Sequence, residues 1–162
     1  MADAEGAMPD ENFLLRLQPD WQDRFEADLI EPSLTPIQAA VQLLGDTPGW
    51  VRQLMRLRNA IVRLVGLKAV EMAAGEAIGG FPVLQSTDRF VVLGFDDHHL
   101  DFRIVLDLSS RGADRVVGVS TFVRRKNLLG KIYMLVVAPF HRRIVPATLR
   151  SLARNVRAVS LA

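Results

Sequence analysis

The chain reads as an α+β protein, a curved antiparallel sheet wrapped around a long C-terminal helix with two short helices after the first strand. Three observations predict it. From residue 89 onward apolar residues recur with a period of two, in segments rich in Val, Ile, Leu and Phe. The breaks between those segments are short, which selects an antiparallel meander, because parallel strands need crossovers of about a dozen residues. The C-terminal stretch carries apolar residues three and four apart with arginines opposite. A sheet with one apolar face and a helix with one apolar stripe satisfy each other by packing together.

Element by element, residues 1–12 read as a disordered acidic N-terminus and 13–162 as one domain. Leu14, Leu15, Leu17, Trp21 and Phe25 alternate loosely with charges, which predicts an extended entry and a first strand near residues 21–30. Ser33 or Thr35 can cap a short helix carrying Pro36 and Ile37 to Leu44, which Gly45 stops. Thr47 and Pro48 open a second helix in which Trp50, Leu54, Leu57, Ile61 and Leu64 keep helical spacing, and Gly66 closes it. Residues 66–87, with Gly75, Gly79, Gly80 and Pro82, read mainly as loop. Strands are predicted at Arg89–Phe95, Leu100–Leu108, Arg115–Val123 and Lys131–Val137. The last helix is predicted from about Ala138–Pro139 to Val159. Val145, Leu149, Leu152, Val156 and Val159 lie on one side of it, and Arg143, Arg150, Arg154 and Arg157 on the other.

With 162 residues, 49% of them apolar and 23% charged, the chain has enough material for a core without staples. It contains no cysteine, which excludes disulfide frameworks, thiolate zinc sites, iron–sulfur clusters and cysteine nucleophiles. The acidic N-terminus lacks the apolar core of a signal peptide, and no apolar run reaches the roughly 18 residues of a spanning helix. A cytoplasmic location is expected. Net charge is +2 but unevenly spread. Residues 1–31 hold nine acids against two bases, whereas residues 111–162 hold eleven bases against Asp114 alone. The favoured account is two ends that lie near each other. Neither nucleic acid nor membrane is expected as a partner, because the sheet needs the last helix's apolar face and no aromatic-rich surface accompanies the arginines.

Three stretches carry a family resemblance: Pro48–Gly–Trp50 with Leu54 to Asn59 and Val65–Gly–Leu67; Gly94 to Arg103, reading GFDDHHLDFR; and Asn127 to Tyr133 with Pro139 to Arg142. Together, from about Trp21 to about Leu152, they resemble the bacterial domain of unknown function 2867 family. That family has no established activity. Its element order is similar to the helix-grip fold of the START, pollen-allergen and polyketide-cyclase superfamily, and the resemblance implies a cavity between sheet and long helix. Some relatives are joined to an NAD-binding oxidoreductase domain, which implies an oxidoreductase partner. This chain has no glycine fingerprint after a strand, so no nucleotide cofactor is expected in it.

Two groups of residues carry chemistry. Asp96, Asp97, His98, His99 and Asp101 have metal-ligand types, but a hairpin at Asp96–His98 leaves only His99 and Asp101 converging. Turn geometry and an Asp101–Arg103 ion pair are expected there, and no metal. Asn127, Gly130, Tyr133 and His141 form the second group. Asn127 and Gly130 suit turn and bulge geometry, while Tyr133 and His141 suit a mutual or backbone hydrogen bond, or acid–base work if both face a cavity. Trp50 and Arg58 can line a cavity mouth, with Arg58 able to meet a carboxylate. The candidate ligand-binding set is therefore Trp50, Arg58, Asp101, Arg103, Asn127, Tyr133 and His141, with no catalytic motif. Hydrolase elbows, phosphate loops and paired catalytic glutamates are absent from the sequence.

Three functional readings stay open. One is a binding protein for a small apolar or amphipathic ligand, held between sheet and C-terminal helix. Another is a cyclase- or dehydratase-like enzyme using Tyr133 and His141 for proton transfer. The third is an interaction module that docks on an oxidoreductase. Both faces of the predicted strands are apolar, since Val116, Phe122, Phe90 and Val92 alternate with equally apolar neighbours. A homodimer through the outer sheet face is the favoured reason.

Overall fold

A computed structural model describes residues 9, 11–29, 34–44, 77–112 and 114–160. Helix α1 (Glu11–Leu17) leads into β1 (Trp21–Leu29), and α2 (Pro36–Leu44) follows. After it come β2 (Ala77–Ile78), β3 (Phe81–Ser86), β4 (Phe90–Asp96), β5 (Leu100–Arg111), β6 (Asp114–Arg125) and the 33-residue helix α3 (Leu128–Ser160). The strands form a curved, open, six-stranded antiparallel sheet in the order β1-β6-β5-β4-β3-β2. The second helix predicted over 47–66 lies outside the described residues, as do Trp50 and Arg58.

Local chemistry accounts for most boundaries. Gln38 donates its backbone N–H to Thr35 Oγ1 and accepts the Thr35 N–H on its own side chain, the reciprocal cap that starts α2. Gln18, at φ 47°, takes the left-handed conformation that ends α1, and Pro19 prevents its continuation. The segment predicted as an extended entry is thus helical, and the loop predicted over 66–87 contains a hairpin at its end. Gly79 and Gly80 both have positive φ, as the two central residues of the tight turn between β2 and β3 must. Gly79 has a second duty, because a Cβ there would overlap Leu44 at the end of α2.

The largest correction concerns residues 131–137, predicted as a strand and found inside α3, which begins ten residues earlier than expected. Ile132, Tyr133, Val136 and Val137 are strand-favouring types, but strand propensity depends on context and yields here to tertiary packing. Asn127 is the device that starts the helix. Its Oδ1 accepts the Gly130 N–H at 3.1 Å, while Lys131 N–H reaches Asn127 O at 3.2 Å. Gly130 does not make a bulge. It lets the first turn of α3 lie against the backbone of His99, where a Cβ would collide with the carbonyl oxygen. Pro139 and Pro146 sit within α3, seven residues apart and hence on one side of it, so the backbone bonds they forfeit fall on the same flank.

Register sorts the side chains onto two faces. Trp21, Asp23, Phe25 and Ala27 of β1 oppose Val123, Thr121, Val119 and Val117 of β6. Phe102, Ile104 and Leu106 of β5 continue that face, as do Phe95, Leu93 and Val91 of β4. Against it pack Ala39, Ala40 and Leu43 of α2 and Val145, Leu149 and Leu152 of α3, making the main core. Helix α3 lies over β1 and β6, and α2 over β4 and β5, so two helices divide the concave face.

The opposite face is covered from within the chain. Leu17 and Phe13 of α1 pack on Val92, Val105, Phe122 and Phe90, and Leu17 is buried. These are apolar residues of the face that favoured a homodimer at the sequence level, and the N-terminal helix removes that motive. Truncating Leu17 to alanine is expected to cost about 2–4 kcal/mol by opening a cavity over Val92 and Val105, read as a lower urea midpoint. A loss below about 0.5 kcal/mol, the range of ordinary surface changes, would show that α1 does not hold that face closed.

Candidate functional site

The alternation of β1 puts one carboxylate out of place. Trp21, Asp23, Phe25 and Ala27 share a phase, and three of the four are apolar. Directly opposite Asp23 stands Thr121, the polar member of the series Val117, Val119, Thr121 and Val123. Both therefore point to the concave face, beneath α3, and His141 descends onto them from the helix. Its Nε2 lies 3.0 Å from Thr121 Oγ1 and 3.3 Å from Asp23 Oδ1. The Asp23 side chain is 10% exposed and that of His141 18%, and the indole of Trp21 meets the imidazole edge to face at 5.7 Å.

An ionised carboxylate only accepts, so the contact with Asp23 Oδ1 assigns a proton to Nε2, shared with Thr121 Oγ1. Both partners use the same ring nitrogen. The arrangement is therefore no relay in which a carboxylate on one nitrogen activates a hydroxyl on the other. What it leaves is Asp23 Oδ2, buried and, among the described residues, without a hydrogen-bond partner. A buried carboxylate oxygen in that state is destabilising by roughly 1–3 kcal/mol or more unless a donor reaches it. The concave face thus presents an acceptor, framed by Trp21 and the helix, that asks for a hydroxyl or ammonium donor.

A second polar group gathers where the β4–β5 turn meets the start of α3. His99 and Asp97 are buried, with Nδ1 and Oδ2 3.5 Å apart, and the Tyr133 ring packs edge to face on the imidazole at 5.7 Å. Lys126 pairs with Asp101 at 2.5 Å and donates to Asp97 O at 2.9 Å, while Asn127 Nδ2 donates to His98 O. These contacts tie the last turn of the meander to the helix cap.

The predicted residues fall into three separate places. Asp101, Asn127 and Tyr133 belong to the turn–cap cluster. His141 stands two turns further along α3, about 12 Å by helix rise, where its Nε2 meets Thr121 and Asp23. Tyr133 lies on α3 and not on a strand beside Leu135 and Val137. Arg103 is on the convex face. Its partner is Asp96, at 2.7 Å, and it donates to Phe95 O and Phe102 O over Gly94, which replaces the ion pair with Asp101. Asp23 and Thr121 were not among the candidates. The signal that finds them is a polar residue in the apolar phase of a strand.

The convex face also holds an ion-pair chain whose role is structural. Arg24 donates to both oxygens of the fully buried Asp107, at 2.7 and 3.0 Å, and to Ser120 Oγ at 2.8 Å. Gly118 makes room for that fork, since a Cβ would strike the guanidinium. Arg24 also holds Glu26, which pairs in turn with Arg111 at 2.7 Å. Hydrogen bonding from Arg24 holds the Glu26 carboxyl below its ordinary 4.5; burial opposes it, and a hydrogen bond from Arg111 adds to the lowering.

Comparison with known proteins adds one assignment. Residues 17–148 match the model of the family described as Protein of unknown function (DUF2867). The chain belongs to that family. No curated protein and no solved structure matches it. The matched span holds Asp23, Thr121 and His141 together with the whole sheet.

Two outcomes are expected. Glu26 stabilises the fold above pH 4.5, and that contribution fades as the pH falls through its lowered value; the stability gap between wild type and Glu26→Gln should therefore narrow below pH 4.5 in urea titrations. In a double-mutant cycle, Asp23→Asn and His141→Gln should couple by about 1–2 kcal/mol, as groups sharing a buried hydrogen bond do. Additive effects within about 0.3 kcal/mol would mean that the two side chains do not meet in solution.

Proposed function

We propose that the chain is a small-molecule-binding domain of helix-grip type, whose ligand lies between the concave face of the sheet and α3 and donates a hydroxyl or ammonium hydrogen to Asp23 Oδ2. The observation that carries this reading is the buried carboxylate oxygen without a partner among the described residues. Its surroundings favour a ligand with an apolar body, since Trp21, Phe25, Val119 and Val123 share the face with Asp23. The element order supports the architecture: a first strand that pairs with the last, a helix after it, a meander, and a long helix laid back over the first and last strands.

An enzymatic version draws on the same site. His141, oriented by Thr121 and Asp23, is the group available for proton transfer, and Tyr133 is not part of that version because it packs on His99. Docking on an oxidoreductase through the outer sheet face loses support, because α1 occupies apolar area it would use.

The test is native mass spectrometry of protein purified without detergent, followed by solvent extraction of whatever is bound. The expected result is a stoichiometric small molecule with an apolar body and a hydroxyl or amine. It should be retained by Thr121→Ser and lost from Asp23→Leu. A protein that carries nothing, or a bound mass indifferent to Asp23, overturns the reading.

A further inference from the structure

Helix α3 has two apolar faces, and the sheet uses one. Met134, Val145, Leu149 and Leu152 face the cores. Leu128, Ile132, Leu135, Val136, Pro139 and Phe140 are all exposed, Leu135 to 77% and Leu128 to 70%. At 100° per residue these six fall within an arc of about 140°, along roughly 18 Å of helix. Scattered exposed apolar residues are ordinary, whereas a contiguous row on one helix face is a contact surface.

Charge says what kind of contact. The last acidic residue of the chain is Asp114, so α3 contains no acid at all. Exposed Lys131 and Arg142 border the apolar arc, and exposed Arg143 and Arg150 continue it along the axis. A second copy of the chain fits poorly, because a two-fold contact would bring these bases toward one another with no acid on the helix to pair them. An aliphatic and phenylalanine ridge edged by lysine and arginine is instead the pattern of a helix lying in the interface of an anionic bilayer, with its basic stems reaching headgroup phosphates. No helix among the described residues is long and apolar enough to cross a membrane, and lying on one does not require it. The expectation of no membrane rested on the sheet needing the helix's apolar face; residues 128–140 carry a second apolar face that the sheet does not use.

We propose that the exposed face of α3 from Leu128 to Phe140 docks the protein on anionic lipid surfaces. The proposal stands apart from the ligand site, since Asp23 and His141 lie on the other side of the helix. The experiment is flotation of the full chain with vesicles of phosphatidylcholine alone and of phosphatidylcholine mixed with phosphatidylserine, at low and high salt, with light scattering in parallel. Binding is expected with the phosphatidylserine vesicles and should fall with salt. It should weaken at least roughly tenfold in Leu135→Glu, and likewise in Leu128→Gln, which guards against a fold defect in the first variant. Absence of binding to anionic vesicles overturns the proposal. So does binding that both variants leave unchanged, which would reduce it to bulk charge, and so does a dimer in solution that Leu135→Glu splits, which would make the occupant a second copy.

Discussion

The fold depends on the pairing of its first strand with its last. Nine successive residues of β1 run antiparallel to β6, and Asp20 fixes the end of that ladder by accepting from the backbone N–H and the side chain of Arg125. Bringing together strands so far apart in sequence carries an entropic cost that the contacts between them must offset. Side chains on both faces reinforce the ladder. On the convex face Arg24 crosses β6 above Gly118 and clasps buried Asp107 on β5, so three strands share one part-buried charge pair. On the concave face Trp21, Phe25 and Ala27 complete the apolar surface on which α3 lies. Without β1, the long helix would lose a principal part of its seat.

The two carboxylates that neighbour this ladder show how environment separates structural from functional polarity. Asp107 is fully buried yet receives a bidentate guanidinium, which offsets much of the cost of desolvation and leaves no oxygen free. Asp23, one residue from Arg24 in sequence, faces the other side of the sheet, where the alternation of the strand denies it that arginine. It finds one imidazole N–H and keeps one oxygen without a partner among the described residues. An apolar residue at position 23 would pack beside Trp21 and Phe25 at less cost. A carboxylate there departs from what the local pattern favours, and such departures cluster at sites that meet a ligand.

What could be read from the sequence follows from how locally each feature is determined. The short helix at Pro36–Leu44 was legible because Thr35 and Gln38 form its cap within four residues. The strands β4, β5 and β6 were legible because the period of two survives over 7 to 12 residues. The start of α3 was not, because residues 131–137 are rich in strand-favouring Ile, Tyr and Val and Pro139 imitates a first-turn proline. The cap at Asn127 competes with an equally plausible turn until Gly130 is seen lying on His99. The glycine pair at 79–80 announced a hairpin but was lost among neighbouring loop signals. Of the site, His141 was legible as a polar residue on the last helix. Asp23 and Thr121 were not, since their meeting is set by a register spanning most of the chain.

The early start of α3 links the two proposals physically. Had the helix begun at Ala138, its first turn would hold His141 and there would be no exposed row before it. Beginning at Leu128, the helix must first cross the turn between β4 and β5. There Gly130, Tyr133 and Met134 take the inward positions, on His99 and on the Leu100–Val123 cluster. Helical geometry then directs the intervening residues outward whatever their polarity, and a helix needing only solubility would place charges there. Leu128, Ile132, Leu135, Val136 and Phe140 occupy those positions instead. The first turns of α3 therefore do two things at once: Gly130, Tyr133 and Met134 seat the helix on the sheet, and the residues between them, continued by Phe140, form its outer apolar face.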